Sequence, residues 1–450
     1  MEKYLPLGWL KILMLGFLFF NVPLVNLFAS GFGLLEHSAA AMGTCYSGGV
    51  SGGNDLTDMF YNPAALSLHS EPEVTLGFSQ ITTDSKFKLS SSSNVFKQKM
   101  SGNAGGANIA PQETIPSLFA NINGSSETRF GISINGPWGL ESNNPNGWVG
   151  RYYALNSKVA SLNITPTISH KIGDSTYFGC GLQVQKMTAE LSAAIDFGSI
   201  GAALKIPTAK PGLQDGSSKI SGDSWGTGFT CGILSEISQN AKIGLSYRSS
   251  IKNNLSGNSE FTLDSSGIGK ILSATSGAFK NCGVTSSITT PESFSFGMSG
   301  NCGKFGIQGS LSRTRWSCFK ELRVNFDNRA QAPSVLDEKW RDTSMASFGL
   351  TYAATDRLIL RTGVSYDESP VPNLTRNPSI PDSSRHWFSF GMGFKATENT
   401  TLELGFAHLS FDDAPVDLLI SGVGNQFRGN LIGDFTTSVN ILSLQAARNF

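Results

Sequence analysis

Past residue 72 the chain divides into segments of period-two alternation, and the connections between them are short and long in strict turn. In Leu358–Tyr366 one face carries Leu358, Leu360, Val364 and Tyr366, and the other Arg361, Gly363 and Ser365. Lys242–Ile251 sets Ile243, Leu245, Tyr247 and Ile251 against Lys242, Gly244, Ser246 and Arg248. Such segments recur at 72–80, 114–122, 127–137, 157–171, 175–190, 223–237, 240–252, 291–300, 303–316, 342–354, 357–368, 384–396, 400–411 and 433–450, about fourteen strands in all. Tight turns fall near 123–126, 172–174, 238–239, 301–302, 355–356 and 397–399, and long connections near 81–113, 138–156, 191–222, 253–290, 317–341, 369–383 and 412–432. A wall between lipid and a polar lumen needs one apolar and one small or polar face. Outer-membrane barrels also pair short periplasmic turns with long outer loops. The pattern therefore predicts an all-β fold: a transmembrane antiparallel β-barrel of about fourteen strands. A soluble β-sandwich would have to carry the same strands without any division into domains.

Composition agrees. Charged residues are only 15% of the chain, against roughly 25% in soluble domains. The 40% of hydrophobic residues, 30 Phe among them, exclude a disordered chain. Lys and Arg balance Asp and Glu at 34 each, so no nucleic-acid or polyanion partner is indicated. Lys3 and Lys11 precede the apolar run Ile12–Phe20, then Pro23 and Ala29, which predicts an export signal over residues 1–29. Asn21, Pro23 and Asn26 interrupt that run before it reaches the ~20 residues of a membrane-spanning helix. The six cysteines lack C-x-x-C spacing, so no zinc site is expected. In an exported protein they permit disulfides whose pairing the sequence leaves open. The chain ends in Phe450, with Leu442, Leu444 and Ala446 in register behind it.

Enzymatic patterns find no support. Gly49-Val50-Ser51-Gly52-Gly53 matches G-x-S-x-G, but it lies in a Gly-rich tract without the strand and helix that a nucleophile elbow requires. The histidines His37, His69, His170, His386 and His408 have no metal spacing. No cofactor and no enzymatic activity are expected.

The segment Phe60-Tyr61-Asn62-Pro63-Ala64-Ala65-Leu66 lies in the non-alternating stretch that precedes the first strand. It resembles the N-terminal plug of the FadL-like outer-membrane transporters, which carry long-chain fatty acids and other hydrocarbons. Four further elements follow the order of that family: Gly31-Phe32-Gly33-Leu34, Trp148-Val149-Gly150-Arg151-Tyr152, Trp316–Leu322, and Tyr366–Pro372 with Ile380–Asp382 and Arg385–Trp387. The resemblance implies a fourteen-stranded barrel whose lumen holds a plug, here residues 30–71, with the wall in 72–450. It implies that Phe32 reaches into the ligand pocket. It implies that Arg323, and less directly Lys186, contact a ligand head group. It also implies that an inward kink in the third strand opens a gap in the wall, faced by Asn62-Pro63-Ala64.

Residue chemistry supports parts of this. Asn62-Pro63-Ala64 reads as a rigid turn, since proline fixes its φ and lacks an N–H. In the third strand, Asn135-Gly136-Pro137 would interrupt the ladder after Ile132-Ser133-Ile134, or else begin the outer loop. Ala193–Ile206, with Ile195, Phe197 and Ile200, and Ile268–Phe279 are apolar stretches in outer loops, suited to capturing a hydrophobe or to covering the barrel. The resulting expectation is a monomeric channel in the bacterial outer membrane, in contact with its lipid and lipopolysaccharide. It would take up hydrophobic molecules passively, long-chain fatty acids first among them. Loops capture the ligand, a pocket near Phe32 holds it, and a shift of the plug releases it sideways. This exit route requires Asn62–Ala64 to touch the wall near Asn135–Pro137. The alternatives are a structural or surface-interaction barrel that transports nothing, and a hydrocarbon substrate without a carboxylate.

Overall fold

A computed structural model describes residues 31–122, 124, 125 and 127–450 of the chain. The expected export signal, residues 1–29, lies outside the described residues.

The wall is a single closed sheet. Its strands are β1 (Glu73–Ser93), β2 (Glu113–Ile122), β3 (Thr128–Asn135, resumed as Gly139–Asn143), β4 (Asn156–Ile172), β5 (Thr176–Asp196) and β6 (Asp215–Ser238). They continue as β7 (Ala241–Arg248 and Ile251–Thr262), β8 (Cys282–Thr290 and Ser293–Cys302), β9 (Phe305–Thr314 and Glu321–Phe326) and β10 (Ser334–Asp337 and Thr343–Ala353). The remainder are β11 (Leu358–Asp367), β12 (Arg385–Thr397), β13 (Thr400–Phe411 and Ala414–Leu418) and β14 (Asn430–Asn449). Each pairs antiparallel with the next, and β14 closes the ring on β1 from Glu73↔Asn449 to Ser93↔Asn430. Closure of β14 on β1 leaves neither terminal strand as a free edge, which hydrocarbon would not tolerate. The outward faces carry an exposed apolar band: Val74, Leu76 and Phe78 on β1, Phe388, Phe390, Met392 and Phe394 on β12, and Leu402, Leu404 and Phe406 on β13.

The strand count follows the alternation; the strand lengths depart from it. β5 and β6 stay paired from Thr176↔Ser235 to Asp196↔Asp215, whereas a tilted strand needs only about 9–11 residues to cross the membrane. On the outer face of β5, Leu182 and Val184 give way to Lys186, Thr188, Glu190 and Ser192. The sheet therefore continues past the apolar band, and much of what reads as long loop in the sequence is wall whose outer face is polar while inward residues such as Met187, Ala189, Leu191 and Ile220 are apolar. Cys180 and Cys231, directly opposite in the β5–β6 register, form a disulfide.

Residues 31–71 contribute no wall strand. A four-residue helix, α1 (Ala39–Met42), and three short 3-10 turns occupy this stretch, nearly all of it buried. Inward-facing wall side chains hold it: Gln445 accepts from Ala39 N–H (3.0 Å), Gln308 donates to Gly53 O (2.9 Å), Lys242 to Gly52 O (2.7 Å) and Arg248 to Phe60 O (2.8 Å). Wall glycines make room for its backbone. A Cβ on Gly244 would lie 2.0 Å from Val50 O, and one on Gly363 2.4 Å from the Thr44 carbonyl carbon. Ser51 sits in this packed segment with its hydroxyl donating to Gly48 O (3.2 Å).

Candidate functional site: a break in the wall and the segment behind it

β2 and β3 pair only from Ile122↔Phe130 to Leu118↔Ile134. Beyond that rung β2 pairs with β1 alone as far as Glu113↔Ile81, while the resumed half of β3 pairs with β4 alone, starting at Gly139↔Ala160. The seam between β2 and β3 is therefore open above Leu118. The local sequence accounts for it. Pro137 cannot donate to a ladder, and Gly136 lets the backbone bend close to β4, where a Cβ would meet Ser161 O at 3.0 Å.

Unpaired backbone groups at such a break would cost several kcal/mol each in hydrocarbon. Here those on the β3 side find partners on the lumen side and on β4. Leu34 N–H donates to Pro137 O (2.9 Å), and Gly139 N–H donates to Phe32 O (2.9 Å). Trp138 N–H donates to Ser161 Oγ (2.9 Å), whose hydroxyl returns a bond to Trp138 O (2.9 Å). Residues 32–34 thus lie along the broken strand and supply its missing rungs. The next attachment is Gly31 N–H to Asp382 Oδ2 (3.1 Å), where Ser369 Oγ also donates (2.7 Å).

A cavity of about 430 Å³ follows the seam. Its lining combines outward residues (Leu76, Leu118, Ile134, Leu162) with inward ones (Glu36, Asn135, Asp382, Arg385), so it passes through the wall rather than along it. This volume lies within the range of ligand pockets, ~300–1,000 Å³. Gly31, Gly33 and Leu34 line its lumen side. Phe32 points the other way, into a box of four aromatic rings: Trp316 at 4.9 Å between centroids, Trp340 at 5.6 Å, Trp138 at 5.9 Å and Phe319 at 6.0 Å. Beside that box is a second, narrower cavity of about 50 Å³, lined by Leu255, Ile288, Phe319, Leu322 and Val324 among others. The two cavities share Leu140 and Val159 as walls, and Gly31–Leu34 stands between them. Glu338 is the sole ionisable group on the narrow cavity's lining among the described residues. It accepts from Trp340 Nε1 (2.9 Å) and Asn377 Nδ2 (3.2 Å), and burial pushes its carboxyl up to about 8.

Several expectations need correction. Asn62–Ala64 does not touch Asn135–Pro137. The Asn62 side chain caps the turn at Ala64 N–H (3.0 Å) and donates to Val50 O (2.7 Å) and to Ile233 O on β6 (3.1 Å). Ser169 on β4 donates to Ala64 O (3.2 Å), and the Pro63 carbonyl lies against Gly179 on β5. The turn is thus seated on β4–β6 at the short-turn end of the barrel, and its contact with β3 is Leu66 against Gly131. An exit route that depends on this turn facing the break is removed; the break itself stands, faced by Phe32–Leu34.

Arg323 lies on the outer half of β9, between Leu322 and Val324, which line the narrow cavity. Alternation turns it outward, where it pairs with Glu321 (2.7 Å). Lys186 shares the outer face of β5 with Leu182 and Val184 and lies 3.5 Å from Asp223. Neither reaches the lumen. Phe197 is buried in an outer-loop cluster with Ile268 and Leu272, flanked by partly buried Ile195 and Ile200. It is built on helices α2 (Phe197–Ala203) and α3 (Ile268–Ser276). These residues border neither cavity, and the large apolar loop side chains left exposed there are Leu204, Leu213 and Ile271. Trp148–Tyr152 is likewise structural: Arg151 pairs with Asp215 (2.6 Å), and Trp148 Nε1 donates to Ala154 O (2.8 Å). Sequence reading missed Leu34, Trp138 and Trp340. A tryptophan two residues after Asn135-Gly136, and another in the polar stretch Asp337–Arg341, were the available signals.

A family model described as outer membrane protein transport protein (OMPP1/FadL/TodX) matches residues 25–450. The chain is 27% identical over 399 residues to a long-chain fatty acid transport protein of Escherichia coli O6:H1, covering 85% of this chain and 87% of that one. It is 28% identical over 388 residues to a 47 kDa outer membrane protein of Pasteurella multocida, with the same coverage, 85% and 87%. Among solved structures, a Pseudomonas aeruginosa FadL homologue superposes with a TM-score of 0.86 at 22% identity, over 94% of this chain and 100% of that one. The Pseudomonas putida toluene transporter TodX gives 0.66 at 17%, over 94% and 100%.

Proposed function

The chain belongs to the OMPP1/FadL/TodX family of outer-membrane transport proteins, and from that premise we propose that it is a passive channel for hydrophobic small molecules, long-chain fatty acids first among them, that releases its cargo sideways into the membrane. In this reading residues 31–71 are the plug. Ligand gathers at the exposed apolar side chains of the outer loops, enters beside Phe32, and leaves through the β2–β3 seam when Phe32–Leu34 withdraws from the broken strand. The observation that carries it is the cavity through the wall, separated from the aromatic pocket by that one segment.

The energetics favour a movable barrier over a fixed site. Burying a sixteen-carbon tail at ~0.8 kcal/mol per methylene amounts to on the order of 10 kcal/mol, enough to trap the ligand in any rigid pocket. In contrast, the contacts joining residues 32–34 to β3 are ordinary backbone hydrogen bonds, each worth about 0.5–1.5 kcal/mol net. A lateral exit also keeps the tail out of the polar lipopolysaccharide layer. Among the described residues no cation lines the narrow cavity, which suits an alkyl or aromatic moiety there rather than a charged head.

Two changes test the proposal in proteoliposomes supplied with labelled oleic acid. The first deletes residues 31–36. The second, in a background without the unpaired Cys45, Cys282, Cys302 and Cys318, combines Pro116→Cys with Gly136→Cys, the positions that follow Leu118↔Ile134 by two in register. Oxidation of the pair should abolish uptake and reduction restore it. Deletion should abolish stepwise capture and release. Unchanged uptake in both, with the barrel folded, would overturn lateral release.

A further inference from the structure

Asn135 is the last residue of β3 before the break. It lines the through-wall cavity, is 2% exposed, and neither atom of its side-chain amide has a hydrogen-bond partner in the protein. Asn163 stands directly opposite it on β4, and Gln185 directly opposite Asn163 on β5. Both are fully buried, and each has an unpartnered carbonyl oxygen, Asn163 Oδ1 and Gln185 Oε1. One rung of the inner wall therefore carries three carboxamides in line, of which Asn135 alone lines the cavity at the seam, at a level where buried polar atoms are normally satisfied. The cations on the cavity lining are Lys158 and Arg385. Lys158 is bound to Glu141, and Arg385 to Asp367 at 2.9 Å.

We propose that Asn135 is a head-group station that pairs with the neutral carboxylic acid end of a long-chain acid as it crosses the wall. This rests on the transport reading above and names the form in which the substrate passes. Whichever way its amide is turned, Asn135 presents one donor and one acceptor side by side. A carboxylic acid presents the complementary pair, an O–H and a C=O, so two hydrogen bonds close a ring. A carboxylate has no donor. It would leave the Asn135 carbonyl oxygen against a negative charge, with both lining cations already engaged, and a charge entering the seam unpaired is strongly disfavoured. The acid takes one proton from water before entering and returns it to water on leaving.

The experiment compares oleic acid with 1-octadecene, which has no head group, in proteoliposomes carrying the full chain or its Asn135→Leu variant. The variant should lower the initial rate for oleic acid about tenfold, the factor for one to two net hydrogen bonds, and leave octadecene within about twofold of wild type. Octadecene uptake also reports that the variant barrel is folded and open. Equal losses for both substrates, or no loss for oleic acid, would overturn the proposal. So would transport of a sixteen-carbon sulfonate, which stays anionic, at the oleic acid rate. Failure of the wild-type chain to carry either substrate above protein-free vesicles would instead refute transport itself.

Discussion

Phe32 is held by ring edges rather than by polar bonds. Three of its four aromatic neighbours meet it edge-on, and its side chain has nothing to offer a charged ligand. Such a contact holds firmly but has no fixed register, which suits a residue that must leave its place and return. Replacing Phe32 with Ala should cost about 3–5 kcal/mol locally and should join the two cavities that the Gly31–Leu34 segment divides. The expected outcome is faster ligand release: a dissociation rate at least about tenfold higher in stopped-flow measurements with a fluorescent fatty acid. Arg323 makes the opposite case. Exposed and paired with Glu321 on the outer face, it belongs to the class of solvent-screened surface pairs that contribute little. Arg323→Ala should leave oleic acid uptake within about twofold of wild type, and a larger loss would mean that the outer face guides the ligand. Lys186 shows that the face of a strand residue can be read from its neighbours: it shares parity with Leu182 and Val184, and that parity already places it outside. For Arg323 the same reasoning was out of reach, because Glu321–Phe326 carries polar or charged residues on its outer side and reads as loop.

At the scale of elements, β3 is a strand completed by a segment about one hundred residues earlier in the chain. Leu34→Pro tests that completion. It removes the N–H that serves Pro137 O and should loosen the whole 32–34 segment by about 0.5–1.5 kcal/mol. Amide exchange at Gly139, whose N–H depends on Phe32 O, should then accelerate by up to about tenfold. Exchange at Gly131, on the intact half of β3 paired with Asn121, should stay unchanged. The interruption at Asn135-Gly136-Pro137 was legible because proline and glycine act locally. Its partner was not. Residues 31–71 have no period to follow, and the Asn62–Ala64 turn gives no sign of which strands its carbonyls will meet. The strand number was legible for a different reason: alternation survives wherever one face meets lipid. Where the outer face is polar that signal disappears, and β5 and β6 run on past the point where the sequence suggests a loop.

The whole molecule separates two ways of opening. Moving Phe32–Leu34 breaks a few bonds along β3 and joins the two cavities, leaving the bonds that hold residues 37–68 in place. Moving the body of residues 37–68 would break the bonds from Gln445, Gln308, Lys242 and Arg248 around the ring, and would open the lumen to water. A buried ion pair, Arg361 with Glu403 (2.5 Å), lies on the inner wall beneath α1, where a Cβ on Gly43 would meet Arg361 at 3.0 Å. Removing one member of such a pair leaves an uncompensated buried charge, a loss of about 3–5 kcal/mol. Arg361→Ala should therefore loosen the body of the segment while leaving the β2–β3 seam intact. In planar bilayers it should produce ion conductance that the wild-type chain lacks, and oleic acid uptake should persist. Deleting residues 31–36 should do the reverse, ending controlled uptake without conductance. If Arg361→Ala stayed non-conducting while the deletion conducted, the short segment rather than the body would be the seal, and the two kinds of opening would not be separable.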